Sequence, residues 1–261
     1  MLTSPTMKTR IGDRELAYER YGTGKPLVLL HAFPFDGCMW RGTGQALGEF
    51  CRVIVPDMRG FGSSDLGAGD PSIADMADDV AALLDSLGTA KATIGGLSMG
   101  GYVALAFAAR HRHRLERLIL ADTRAAADTD KARAGRADAL ALVEREGVAA
   151  LVERQIPVLL SPGASPSLRE EVRELGRQNA AGVCAGIRAL RDRPDRQSEL
   201  AAIPCPTLVI VGAEDQISPL AEVAGMARAI PNARLVEIAG AGHLSNLEKP
   251  VEFVAAISNF M

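Results

Sequence analysis

Three features of the chain predict an α/β fold, with a mostly parallel central sheet flanked by helices and a helical cap inserted into it. Short uninterrupted apolar runs, Leu27-Val28-Leu29-Leu30 and Thr207-Leu208-Val209-Ile210-Val211, have the makeup of strands buried on both faces. Stretches with apolar residues at helical spacing alternate with such runs, an order that implies parallel strands joined by covering helices. From 124 to 202 the alternation stops and only helical patterns remain. The expected core is therefore 1–123 together with 203–261. The expected cap is 124–202, laid over the carboxyl ends of the strands, where open α/β sheets bind ligands.

Taken in order, residues 15–21 mix apolar and charged side chains, as an edge strand does, and Gly22-Thr23-Gly24-Lys25-Pro26 is a turn. The run 27–30 is the first buried strand. It ends at His31-Ala32-Phe33-Pro34-Phe35-Asp36, and a short helix is expected over 41–50. The next strand is 51–55, followed by the loop Pro56-Asp57-Met58-Arg59-Gly60-Phe61-Gly62-Ser63-Ser64-Asp65. Asp70-Pro71-Ser72 can cap a helix whose apolar positions Ile73, Met76, Val80, Leu83, Leu84 and Leu87 recur at helical spacing, and Gly88 closes it. Residues 92–94 lead into Gly96-Leu97-Ser98-Met99-Gly100, with a helix over 99–111 and a buried strand over 117–121. The cap reads as amphipathic helices broken at Pro157, Ser161-Pro162-Gly163, Pro166 and Pro194. Strand patterns return at 207–211 and 234–238, each followed by a helical pattern, at 219–230 and 251–261.

Bulk properties narrow the function. A chain of 261 residues with 48% hydrophobic and 23% charged content suits one large domain with a covered core. A net charge of -3 and scattered basic residues give no electrostatic case for nucleic acid or an anionic membrane as partner. Cys38, Cys51, Cys184 and Cys205 show no C-x-x-C spacing and no neighbouring histidine ligands, so they read as reduced thiols and no metal is expected. Residues 92–109 carry no charge and match a membrane span in length, but their four glycines, serine and midway change of period argue for a strand, a sharp turn and a helix. No apolar h-region with a cleavage site stands in residues 1–12, which makes the cytoplasm the expected location.

Gly96-Leu97-Ser98-Met99-Gly100 fits G-x-S-x-G, a strand-to-helix turn that lifts a serine hydroxyl clear of the sheet. A serine is a poor nucleophile until a base takes its proton, and an acid should hold the base's tautomer. Of the four histidines, His111 and His113 read as a solvated helix end and His31 as a loop-orienting side chain. His243, in the flexible loop Gly240-Ala241-Gly242-His243 after the last strand, is the candidate base. Asp215, after the strand 207–211, is the candidate acid. Its neighbour Glu214 is a weaker choice, and Asp122, at the end of strand 117–121, is the serious rival. Asp57 also follows a strand and reads as a hydrogen-bond acceptor for its own Gly-rich loop. The order Ser98, Asp215, His243 suits a nucleophile on this kind of turn. The backbone N–H groups of Met99 and Phe33 are the candidate oxyanion donors, with Ala32 as alternative to Phe33; Pro34 has no N–H to give.

These pieces together resemble the α/β-hydrolase superfamily. The resemblance spans Leu29-Leu30-His31-Ala32-Phe33-Pro34, the loop 56–65, the serine turn, Val211-Gly212-Ala213-Glu214-Asp215 and the His243 loop. It implies the α/β-hydrolase fold and a Ser-His-Asp triad of Ser98, His243 and Asp215, with no organic cofactor or metal. Within the superfamily the chain is most similar to small bacterial 3-oxoadipate enol-lactonase-like and carboxylesterase members. Leu118-Ile119-Leu120-Ala121-Asp122-Thr123-Arg124, the Arg-rich cap and Ala201-Ala202-Ile203-Pro204-Cys205-Pro206-Thr207 carry that finer likeness. The implied reaction is cleavage of a small carboxylic ester or lactone through an acyl-enzyme. Many members carry His-Gly where this chain has His31-Ala32. Phe33-Pro34 resembles the same loop in cofactor-free haloperoxidases or perhydrolases. Carbon–carbon bond hydrolysis or perhydrolysis on the same triad is the alternative reaction, and a ligand-binding module without turnover is a third reading. An acid-bearing enol-lactone would call for a buried cation; Arg188 and Arg191 are candidates, although arginines of such a segment are mostly solvated. Val158, Leu159, Leu160 and Val183 read as packing the cap onto the core, with a pocket lining as the other reading.

Overall fold

The structure, a computed structural model, describes residues 6–261. The opening stretch read for a targeting signal therefore lies partly outside the described residues. Among the described residues, eight strands form one sheet in the order β1-β2-β4-β3-β5-β6-β7-β8. They are β1 (Met7–Ile11), β2 (Arg14–Tyr21), β3 (Pro26–Leu30), β4 (Arg52–Pro56), β5 (Ala92–Leu97), β6 (Leu115–Ala121), β7 (Thr207–Gly212) and β8 (Ala233–Ile238). Pairing is antiparallel for β1–β2 and β2–β4 and parallel from β4 through β8, so the carboxyl ends of β3 to β8 share one edge of the sheet.

The helices are α1 (Arg41–Leu47), α2 (Ile73–Ser86), α3 (Met99–Arg110), α4 (Asp130–Glu146), α5 (Val148–Leu159), α6 (Pro166–Leu175), α7 (Ala180–Asp192), α8 (Leu220–Ala229), α9 (Ser245–Glu248) and α10 (Pro250–Ser258). Their starts follow side-chain chemistry. Ser72 caps α2 in a reciprocal box with Asp75, and Thr129, Ser165 and Asn179 cap α4, α6 and α7. The apolar face of α2 expected from its spacing is buried at Ile73, Met76, Val80, Leu83 and Leu84. Both faces of β3 and β7 are covered, as their uninterrupted apolar runs require.

Two expectations are corrected. Residues 15–21 are not an edge strand, because β2 lies between β1 and β4 and β1 forms the edge. The signal for β1 was a short alternation, with Met7, Thr9 and Ile11 half-buried and Lys8 and Arg10 exposed, before a turn at Gly12 with φ 61°. Pro157 does not break its helix: α5 runs through it to Leu159. The proline stands in the last turn, where the missing N–H costs one hydrogen bond of a helix that ends two residues later.

Helices α4 to α7 form an insertion between β6 and β7. Arg193 stacks on the ring of Tyr102, with 4.2 Å to the centroid, and joins Asp128 across the two linkers at 2.6 Å. The Arg196 N–H donates to Ala125 O at 2.9 Å, which closes the same junction. Helix α7 sits directly on the loops after β3 and β4: a Cβ on Gly186 would lie 2.8 Å from the Phe61 ring and 3.2 Å from the Phe33 ring. Among the described residues, no helix is long and apolar enough to cross a membrane.

Candidate active site

Ser98 stands between β5 and α3 with φ 54° and ψ -111°, a conformation that L-residues avoid and that surrounding structure must impose. Here the Ser98 N–H donates to Ala121 O at 3.0 Å, and Ser98 O accepts from Thr123 Oγ1 at 2.9 Å. The turn closes only without flanking side chains. A Cβ on Gly96 would lie 2.1 Å from the Gly100 carbonyl oxygen, and one on Gly100 would lie 2.1 Å from Leu30 O. Met99 opens α3, where helix geometry leaves its N–H without an intrahelical acceptor. The Ala32 N–H is occupied by the Met39 thioether at 3.1 Å.

His243 lies in the loop after β8 and Asp215 in the loop after β7, both almost fully buried. Their side chains meet: His243 Nδ1 is 2.8 Å from Asp215 Oδ2. The other Asp215 oxygen accepts the N–H groups of Ile217 and Ser218 at 2.8 and 2.9 Å. The carboxylate is thereby fixed in orientation, and a donating Nδ1–H leaves Nε2 as the free base of the ring. Among the described residues, the structure records this bond and none between His243 and Ser98. Glu214 turns outward to solvent.

The other strand-end groups have structural partners. Asp122, the rival acid, is fully buried with φ 46°. It accepts from the Gly212 N–H at 2.8 Å and from the Ser245 hydroxyl, so it ties the end of β7 to the loop that carries His243. Burial, and then the charge of Asp215, hold its carboxyl well above the usual range. His31 accepts the Met58 N–H at Nε2 (2.9 Å), which puts its proton on Nδ1, facing Ala32 O at 3.0 Å. Burial lowers its pKa and keeps the ring neutral. His111 pairs with Asp78 at 2.7 Å on the surface, and His113 is exposed.

Asp57 accepts from Ser63 N–H at 2.9 Å, within its own loop, and from Gly37 N–H at 2.8 Å, in the segment before α1. Burial outweighs both bonds and raises its carboxyl from 3.8 to about 6. The raised value favours the protonated form in the fold. Its contribution is complete below the unfolded value and is lost as pH rises through about 6. Asp57→Asn is expected to remove up to about 3 kcal/mol of stability change between about pH 4 and pH 7. Urea midpoints of both proteins across that range check it; parallel curves would contradict it.

Two clefts border the chain just after His243, both lined by Leu247. One of about 570 Å³ is lined by Asp36, Arg41, Glu174, Gln178 and Asn246 among others, and one of about 550 Å³ by Ser161, Glu171, Glu214, Glu248 and Lys249 among others. Neither is lined by Ser98 or His243. Among the described residues, no group of three or more His, Cys, Asp or Glu side chains could hold a metal ion.

The alpha/beta hydrolase family profile matches residues 27–257, from the first buried strand to the last helix. The chain belongs to the alpha/beta hydrolase family. A thermophilic esterase from Thermogutta terrifontis, in its malate-bound structure, superposes with a TM-score of 0.93 and 42% identity over 98% of this chain and 97% of its own. The enol-lactonase from Burkholderia xenovorans superposes with a TM-score of 0.89 and 30% identity over 97% and 99%. By sequence, 3-oxoadipate enol-lactonase 2 of Acinetobacter baylyi is 33% identical over 95% of this chain and 94% of its own. The family match agrees with the resemblance carried by the serine turn and the strand-end loops.

As members of this alpha/beta hydrolase's insertion, Arg188 and Arg191 lie toward solvent, paired with Asp70 and Asp192. Among the described residues of the insertion the buried arginine is Arg193, and outside it Arg59 is buried against Asp79; the sequence singled out neither. Leu159, Leu160 and Val183 are buried in packing, and Val158 is exposed. Glu248 was also missed: its carboxylate accepts the Gly242 and Ser161 N–H groups. The spacing of five residues from His243 to Glu248 carried no signal, because the second partner is distant in sequence.

Proposed function

We propose that this alpha/beta hydrolase cleaves small carboxylic esters or lactones through an acyl-enzyme on Ser98. The observation that carries the reading is the Asp215–His243 hydrogen bond of 2.8 Å, at the sheet edge where Ser98 is held at φ 54°. The esterase and enol-lactonase relatives support the substrate class.

His243 Nε2 takes the Ser98 hydroxyl proton as Oγ bonds to the substrate carbonyl carbon. Asp215 accepts from Nδ1–H and stabilises the imidazolium that results. The oxyanion receives hydrogen bonds from the Met99 and Phe33 amides. The imidazolium then passes its proton to the leaving alkoxide, and the acyl–oxygen bond of the substrate breaks. Water attacks the acyl-enzyme with His243 again as base, which releases the acid and restores Ser98. Residues 124–202 act as a cap that bounds the substrate, with α7 against Phe33 and Phe61.

Intact-mass measurement after a fluorophosphonate probe, with peptide mapping, tests the reading. A single adduct on Ser98 is the expected result; folded protein that takes no label would overturn it. A panel of short esters, lactones, dienone acids and peroxide then separates ester and lactone cleavage from carbon–carbon hydrolysis and perhydrolysis.

A further inference from the structure

We infer that Glu248 is a positioning residue that mounts the His243 loop on the helical insertion, so that the insertion helps to set the place of the base. The inference rests on the proposed role of His243. The core side of the loop is fixed by Asp215 on the ring, Asp122 on the Ser245 hydroxyl and the Glu214 N–H on Ala241 O. The other side faces residues 159–161, where α5 ends and the chain becomes extended at Leu160.

Three contacts join that segment to the residues on either side of His243. Glu248 Oε1 accepts the Gly242 N–H at 2.7 Å, and Oε2 accepts the Ser161 N–H at 2.9 Å. The Leu244 N–H donates to Leu159 O at 3.1 Å. One carboxylate thus bridges two backbone donors 81 residues apart, as the numbers 161 and 242 give, and charge-assisted bonds of this kind are the stronger ones. The fit is also steric. A Cβ on Gly242 would lie 2.6 Å from Ser161 N and 2.9 Å from Leu160 C, both backbone atoms.

His243 therefore sits between two residues held by the insertion, and a general base must be held closely to act. Loss of the bridge frees Gly242 from Ser161 without touching the ring, the acid or the serine. The step that should suffer is chemistry at Ser98 rather than binding of a small ester.

The test measures fluorophosphonate labelling rate, kcat and KM on p-nitrophenyl acetate, and circular dichroism for wild type, Glu248→Ala and Glu248→Gln. Glu248→Ala is expected to stay folded, to label and turn over roughly tenfold to a hundredfold more slowly, and to keep its KM within about twofold. Glu248→Gln keeps one acceptor oxygen of the same reach and is expected to fall between the two. Labelling and turnover at the wild-type rate in either folded variant would overturn the inference, and so would a loss confined to KM. If Glu248→Ala does not fold, the near-isosteric Glu248→Gln decides by the same criteria. Wild-type protein that takes no label on Ser98 would instead overturn the triad reading, and the inference with it.

Discussion

Ser98→Ala is expected to lower kcat on an activated short-chain ester by about a millionfold, while circular dichroism and melting stay close to wild type. The size follows from the chemistry. In the proposed mechanism no acyl-enzyme forms without Oγ, and only the oxyanion donors and the binding of substrate remain to assist water. Those remnants typically keep roughly a thousandfold over the uncatalysed reaction. His243→Ala should cost a similar factor, and the double variant little more than either single one, because the residues act as a unit. Asp215→Asn should cost about ten thousandfold, since it disturbs the tautomer that leaves Nε2 free. Steady-state kinetics on the four proteins checks the set. Appreciable turnover in Ser98→Ala would exclude this serine as nucleophile.

Asp128→Ala is expected to destabilise the fold by about 3–5 kcal/mol. The Asp128 carboxylate is inaccessible to solvent, and Arg193 beside it is 2% exposed at a distance of 2.6 Å. Arg136 approaches it at 3.0 Å and Arg124 at 3.8 Å. Burial alone would raise its pKa, but the charges and hydrogen bonds of Arg136 and Arg193 outweigh that and hold the carboxyl below its usual 3.8. Its stabilisation is therefore present above 3.8 and lost as pH falls through the lower folded value. Removing the anion leaves Arg193 buried with no carboxylate at the junction that closes the insertion. Melting should fall by roughly 6–20 °C, with the linkers opening to protease first. For contrast, the exposed Arg145–Glu146 pair should give less than about 0.5 kcal/mol on Arg145→Ala. A melting loss for Asp128→Ala no larger than for Arg145→Ala would refute the prediction.

Much of the site could be read from the chain because its parts are local. A serine between glycines, after an apolar run and before an uncharged helical one, specifies a strand-to-helix turn within ten residues. The structure bears this out as β5, Ser98 and α3. Strands recognised by continuous apolar runs have carboxyl ends that parallel pairing gathers on one edge, so Ser98, Asp122, Asp215 and His243 were all expected near one another. The edge strand β1 was harder to read, because only five residues alternate in it.

The chain by itself determined the alpha/beta architecture, the serine turn and the short set of strand-end candidates, because periodicity and backbone sterics act over a few neighbouring residues. The tertiary structure alone shows which strand-end carboxylate meets the imidazole: Asp215 meets His243, while Asp122 is turned to Gly212 and Ser245. It also decided that Ala32 gives its N–H to Met39, that Arg193 closes on Asp128, and that Glu248 reaches both Gly242 and Ser161. Apart from the local Ala32–Met39 contact, each of these depends on where two distant segments come to rest, to within the reach of a hydrogen bond. Residue type and spacing limit the candidates for such pairs, and only the packing of helices and loops on the sheet selects among them.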